Sequence, residues 1–266
     1  MKKTLIALFA MGTVASAATT VLVEQDFTTL DGYSQTWTDT KGTADTSDDV
    51  TYPSVLPKGW YTGQWNGSDT PHYEFGDNGA VVHHPWKQNY LWTSINLSSQ
   101  ADATITFTLY NNKADEDTGN MFYLSSSTYS IVIGNSYKSN SDIYVGTLDE
   151  AIGSTSGFVC FQTGTGKNPT VKTNSTGLNV DGDITYTLTL KGGDLTVKAE
   201  SANFSKAWET TLTGMNDVTF TSLGFINDGS PGTAGVKKVS LSIPEPTTAT
   251  LSLLALAGLA ARRRRK

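Results

Sequence analysis

Residues 184–199 hold the pattern that most restricts what this chain can fold into. Ile184-Thr185-Tyr186-Thr187-Leu188-Thr189-Leu190 alternates apolar and hydroxyl side chains, and Leu195-Thr196-Val197-Lys198-Ala199 does the same after Lys191-Gly192-Gly193-Asp194. A period of two gathers the apolar groups on one face of a strand, and a helix would scatter them. The glycine pair suits a tight turn, so the unit reads as a β-hairpin. Ala103 to Tyr110 repeats the alternation, with Ile105, Phe107 and Leu109 set between threonines.

Further strands follow from β-branched and aromatic runs at Val21–Phe27, Asn120–Ser125, Tyr129–Ile133, Ile143–Val145, Val218–Ile226 and Val236–Ile243. Only Leu148–Ile152 suggests a turn of helix before the C-terminal tail. Many short strands with turn signals between them predict an all-β sandwich or barrel.

Both ends read as targeting segments and stand outside the fold. Lys2 and Lys3 precede the apolar stretch Thr4–Val14, and Ala15-Ser16-Ala17 places small residues where signal peptidase reads them, with cleavage after Ala17. The apolar stretch is too short to span about 30 Å of hydrocarbon. Residues 1–17 are therefore a signal peptide and 18–243 a β-sandwich passenger domain.

At the other end, Ile243-Pro244-Glu245-Pro246 leads into the uncharged Leu- and Ala-rich stretch Ala249–Ala261, closed by Arg262, Arg263, Arg264, Arg265 and Lys266. Proline cannot continue a sheet, so the last strand stops here. The apolar stretch predicts a short transmembrane helix, and the basic cluster holds its end in the cytoplasm. In this order, residues 244–266 resemble the PEP-CTERM sorting signal of Gram-negative bacteria. The resemblance implies an exosortase as processing partner and cleavage near Pro244-Glu245-Pro246. It also implies transient anchoring in the inner membrane and delivery to the cell envelope or extracellular matrix.

The charge balance excludes some partners. The whole chain has 19 Lys+Arg and 25 Asp+Glu. Setting aside Lys2, Lys3, Arg262–Arg265, Lys266 and Glu245 leaves the passenger 12 positive and 24 negative groups, a net −12, with no arginine. Such a surface does not suit nucleic acid, which needs cationic side chains to displace counterions. Cys160 is the only cysteine, so no disulfide forms within the chain. It reads as a small buried hydrophobe.

The order of features in the passenger resembles the concanavalin A-like (laminin-G-like) jelly roll. An early strand ends in Asp26-Phe27, Gly59-Trp60 follows a proline-containing loop, a hairpin comes late at Ile184–Ala199, and the last strand returns beside the first after Gly232–Gly235. That resemblance implies a jelly-roll β-sandwich.

Catalytic patterns are weak. The passenger glutamates are Glu24, Glu74, Glu116, Glu150, Glu200 and Glu209, and no two share a strand at the even spacing that paired carboxylates need. Gly153-Ser154-Thr155-Ser156-Gly157 has threonine where a nucleophile elbow needs serine. His72, His83 and His84 show no metalloprotease spacing. Calcium is the candidate cofactor, at Asp45, Asp48 and Asp49, with Asp115-Glu116-Asp117 and Asp181-Gly182-Asp183 as further oxygen-rich loops.

Trp60, Tyr61 and Trp65 lie among Gly59, Gly63, Asn66 and Gly67, a stretch that reads as loop, and Tyr73, Trp86, Tyr90 and Trp92 follow. Such rings either fill the core or stack on sugar faces. Trp65, between Gln64 and Asn66, is the expected exposed ring, and Trp60, after Val55-Leu56-Pro57, the expected packed one. The sequence points to an exported, non-catalytic surface or matrix protein, structural or glycan-binding. The alternative is a secreted carbohydrate-active enzyme of the concanavalin-like class.

Overall fold

A computed structural model describes residues 19–41, 45–64, 73–83, 89–112, 119–135, 143–148, 151–152, 170–174, 181–228 and 232–244. The signal segment with Ala15 and Ala17, the expected membrane helix, Arg262–Arg265, Trp65 and Cys160 lie outside these residues.

Strands make up 67% of the described chain, and no α-helix occurs among the described residues. In chain order these are β1 (Thr19–Asp26), β2 (Gly32–Tyr33), β3 (Trp37–Asp39), β4 (Val50–Tyr52), β5 (Trp60–Gln64) and β6 (Tyr73–Gly76). Then come β7 (Gly79–Val82), β8 (Asn89–Ser98), β9 (Ala103–Asn111), β10 (Gly119–Ser125), β11 (Ser130–Asn135) and β12 (Ile143–Leu148). The last are β13 (Thr170–Asn174), β14 (Gly182–Lys191), β15 (Asp194–Glu200), β16 (Trp208–Leu212), β17 (Thr219–Asp228) and β18 (Ala234–Pro244). The expected hairpin is β14–β15, turning through Gly192 and Gly193 at φ 56° and 87°.

One sheet has nine strands in the order β16-β15-β14-β9-β18-β7-β6-β2, with β1 also paired to β18. A second has seven, β13-β12-β11-β10-β17-β8-β5. The chain alternates between them, so that β17 slots between β8 and β10 while β18 slots between β9 and β7. Antiparallel strands threaded alternately into two facing layers make a jelly-roll sandwich. A separate two-stranded sheet, β3–β4, lies beside β2.

The core follows from the alternation. Leu91, Phe225, Phe122, Ile133 and Val145 form one cross-strand row of the seven-stranded sheet and are all fully buried. Opposite them, Phe107 lies in register with Tyr186 and Val239. The Phe107 and Phe122 rings stack between the layers at 4.3 Å. The water-facing side of the nine-stranded sheet is hydroxyl-rich, with Thr104, Thr106 and Thr108 opposite Thr189, Thr187 and Thr185.

Two local expectations change. Residues 60–64 are a strand, not loop: β5 pairs residue for residue with β8, and the Thr93 hydroxyl donates to Gly59 O at 2.8 Å. Long-range pairing outweighs the local glycine signal here. Leu148 ends strand β12, and Ala151–Ile152 is irregular rather than helical.

Candidate functional site

The outward face of the seven-stranded sheet carries rings where a solvent face would carry polar groups. One cross-strand row reads Tyr61, Trp92, Gly224, Tyr123, Val132 and Gly146. The next holds Tyr90, Ile226, Met121 and Tyr144. Residues of this face form an apolar cluster of their own, separate from the sandwich interior.

Glycine makes the arrangement possible. A Cβ on Gly224 would stand 2.6 Å from the Tyr123 ring and phenol oxygen and 2.7 Å from Trp92 Cβ. The Tyr123 ring therefore lies across β17 against Trp92. It is 3% exposed, and burial, with Tyr90 beside it, pushes its phenol far above the ordinary range. Tyr61, on the edge strand β5, is 51% exposed and stacks on half-buried Trp92 at 5.8 Å and 29°.

A serine row borders the rings: Ser94, Ser222, Ser125 and Ser130 share one register line. At its far end the Ser125 and Ser130 hydroxyls both accept from the Ile152 N–H, at 2.9 and 3.1 Å. Ile152 closes that end of the face. The Tyr61–Trp92 end, beside exposed Ser94 and half-buried Ser222, meets water.

Trp60 belongs to the core. It is 7% exposed and packs edge-on against Phe27 at 5.0 Å and flat on Phe225 at 6.4 Å. Alternation along β5 sends Trp60 inward and Tyr61 outward. Tyr73 is also interior, its hydroxyl donating to Asn227 Oδ1 at 2.8 Å. Trp86, like Trp65, lies outside the described residues.

The described acidic residues do not converge. Asp45 caps the 3-10 turn Thr46–Asp48 through the Ser47 N–H at 2.9 Å, which lowers its carboxyl, and Asp49 follows the turn. Asp183 pairs with Lys237 at 2.8 Å. Among the described residues no three His, Cys, Asp or Glu side chains are grouped to hold a metal ion. Glu24, Glu74, Glu200 and Glu209 lie on four different strands.

Two groups escaped the sequence reading. One is a row of buried asparagines, Asn89, Asn227, Asn120 and Asn135, at one end of the core. The other is an aromatic group around Tyr33. The asparagines did leave a signal, because each sits two positions from a core residue on its strand.

Comparison with known proteins bears on the end of the chain. Residues 242–266 match the PEP-CTERM protein-sorting motif. The chain carries this sorting signal. It is the mark of an exported protein processed by an exosortase. No curated protein matches the chain. Among solved structures it is similar to the VIP36 exoplasmic/lumenal domain in its Ca2+/Man2-bound form, with 11% identity over 73% of this chain and 84% of that one, TM-score 0.45. It is also similar to the CBM2 module of the Lactobacillus casei BL23 phage J-1 evolved Dit, with 10% identity, 81% and 98% coverage and TM-score 0.46. Lectin II from Ulex europaeus gives 11%, 70% and 93%, and 0.42.

Proposed function

We propose that this exported protein is a non-catalytic component of the cell surface or matrix that holds extracellular polysaccharide on the Tyr61–Trp92 platform. One observation carries the reading. A half-exposed tyrosine on an edge strand is stacked on a tryptophan at 5.8 Å, with serine hydroxyls in the neighbouring row. Sugar rings present C–H faces that stack on such rings, and hydroxyl side chains take the sugar hydroxyls. Because Trp92 and Gly224 already fix the ring geometry, little side-chain freedom is lost on binding. In this reading the mature domain spans 18–243, between cleavage after Ala17 and processing near Pro246. The exosortase then releases it from the membrane.

Polysaccharide pull-down with Tyr61→Ala tests the platform. Retention should fall roughly fivefold or more, on the order of 1 kcal/mol, while the melting temperature stays close to that of the parent. Unchanged retention on every glycan bound by the parent protein removes the platform from the reading.

A further inference from the structure

The hairpin β3–β4 assembles four aromatic rings at the edge of the nine-stranded sheet, remote in topology from the Tyr61 platform. Trp37 and Tyr52 are opposite one another in its register, 5.8 Å apart and 18° from parallel. Tyr33 of β2 stands against both, at 4.9 and 5.3 Å. His83, one residue past β7, completes the group at 5.2 Å from Tyr33 and 5.4 Å from Trp37. All four are half-buried, so each keeps some ring surface in water. Hydrogen bonds fix the frame: Val55 N–H donates to Tyr33 O at 2.9 Å, and the Ser54 hydroxyl donates to Ser34 O at 2.8 Å.

Two carboxylates, Glu74 and Asp39, act on these rings. Glu74 Oε2 lies 3.4 Å from His83 Nδ1, and its side chain is half-exposed. The hairpin segment 37–52 carries Asp39, Asp45, Asp48 and Asp49 against Lys41 alone, a net −3. Asp39 bonds to Lys41, while Glu74, among the described residues, is paired with His83 rather than with a lysine. The negative field reaches the aromatic group. Burial raises the Tyr33 phenol above its ordinary range, and Glu74, Tyr52 and Asp39 raise it further against the opposing Lys41.

We infer that this group is a second ligand site, which takes a protonated amine carried on a sugar ring: an amino-sugar unit of an extracellular polysaccharide. The sugar's apolar face meets a ring while its ammonium meets the aromatic π-faces and the Glu74 carboxylate. A passenger with net charge −12 repels anionic polymers and attracts cationic ones. The choice of a sugar as amine carrier rests on the glycan-binding reading above. The site itself shares no residue with the Tyr61–Trp92 platform.

Calorimetric titration of the full chain in mild detergent, using a glucosamine hexamer and its N-acetylated counterpart, tests the site. The free-amine hexamer should bind at least tenfold tighter, and the preference should shrink as salt rises. Trp37→Ala and Glu74→Gln should each weaken its binding fivefold or more, while Tyr61→Ala leaves the amine preference intact. Glu74→Gln keeps every ring in place and so decides the matter if Trp37→Ala disturbs the hairpin. Equal binding of the two hexamers, or a preference that survives Glu74→Gln, overturns the inference. Spermine binding as tightly as the hexamer, unaffected by Trp37→Ala, also overturns it, because charge alone would then explain the result. Failure of Tyr61→Ala to alter retention of neutral glycans counts against the platform and leaves the amine site standing.

Discussion

Asn227 Nδ2 donates to Asn120 Oδ1 at 2.7 Å, joining β17 and β10 through two fully buried amides. The bond is the centre of a chain that crosses between the sheets. Asn120 Nδ2 donates onward to Tyr110 O and Gly235 O of the opposite sheet, each at 2.8 Å, and Asn227 Oδ1 accepts from the Tyr73 hydroxyl at 2.8 Å. Amides close this end of the sandwich where apolar rows fill the rest. A buried amide chain fixes register more sharply than apolar packing does, because each slip leaves polar atoms without partners.

Asn120→Ala should therefore be strongly destabilising. It removes the acceptor of Asn227 Nδ2 and the donor to two carbonyls, for a loss of about 3 kcal/mol. For a domain of this size that corresponds to a drop of roughly 6–12 °C in melting temperature. Thr106→Ala, on the water-facing side of the other sheet, should change stability by no more than about 0.5 kcal/mol. Urea unfolding of both variants checks the contrast, and an Asn120→Ala cost near that of Thr106→Ala would remove the structural role of the amide chain.

Adjacent positions 60 and 61 should respond in opposite ways. Trp60→Ala empties space between Phe27 and Phe225 and should cost about 3–5 kcal/mol. Tyr61→Ala removes a half-exposed ring and should cost less than about 1 kcal/mol of folding stability. Thermal melts of the pair measure this directly. Similar losses at both positions would contradict the inward–outward alternation of β5.

How much of this was legible in the sequence depends on the range of the interaction. The hairpin β14–β15 and strand β9 announce themselves because alternation and a glycine turn are local. Residues 60–64 were missed as a strand because glycine and asparagine around them read as turn, and only the pairing with β8, some thirty positions on, makes them extended. Tyr33, Trp37, Tyr52 and His83 follow no period and meet only once β2, β3, β4 and the end of β7 come together. Asparagine usually marks turns, so Asn89, Asn120, Asn135 and Asn227 were passed over. Yet Asn120-x-Phe122 and Phe225-x-Asn227 place them in the same alternation as the core. The calcium expectation at Asp45, Asp48 and Asp49 came from acidic residues close together in sequence, which says nothing about how their side chains converge, and Trp65 lies outside the described residues.

Gly224→Ala should disturb the outward aromatic face without touching the interior. Its new methyl would collide with the Tyr123 ring and Trp92 Cβ. Displacing a buried ring in this way costs about 1–3 kcal/mol. Tryptophan fluorescence should shift as Trp92 moves, and glycan retention should fall with it if the platform depends on that stack. A variant with parental stability and parental fluorescence would show that the face has slack the packing does not suggest.

Asp26 should contribute stability that acid removes. Lys238 Nζ at 2.7 Å and the Thr28 N–H and hydroxyl hold its carboxyl below the ordinary range. A carboxyl lowered in the folded state stabilises at neutral pH, and that contribution disappears as pH falls from about 4 through the folded value. Asp26→Asn keeps a capping oxygen for Thr28 but loses the charge. The variant should melt lower than the parent at pH 7, and the gap should narrow as pH falls towards 3. A gap of equal size at both pH values would mean that the charge contributes nothing.

The two ends expected to be processed meet on one edge of the fold, which sets where cutting is tolerated. Thr19 pairs with Pro244, Thr20 with Ile243 and Val21 with Ser242, so the first residues after the expected signal cleavage zip against the last residues before the sorting segment. The sorting motif match begins at 242, inside β18. Cleavage near Pro246 would spare all three pairs and the packing of Ile243 on the core. A chain ended after Pro246 should thus melt at the temperature of the protein recovered from the cell surface. One ended after Leu241 should melt lower, because β1 loses its partner along 19–21 and leaves the exposed Val21 and Leu22 on an unpaired edge. Mass spectrometry of surface material should find an N-terminus at Ala18 and a C-terminus near Pro246. Mature protein that still carries Arg265 would rule out this processing, and equal melting of the two truncated chains would show that β18 does not need its last three residues.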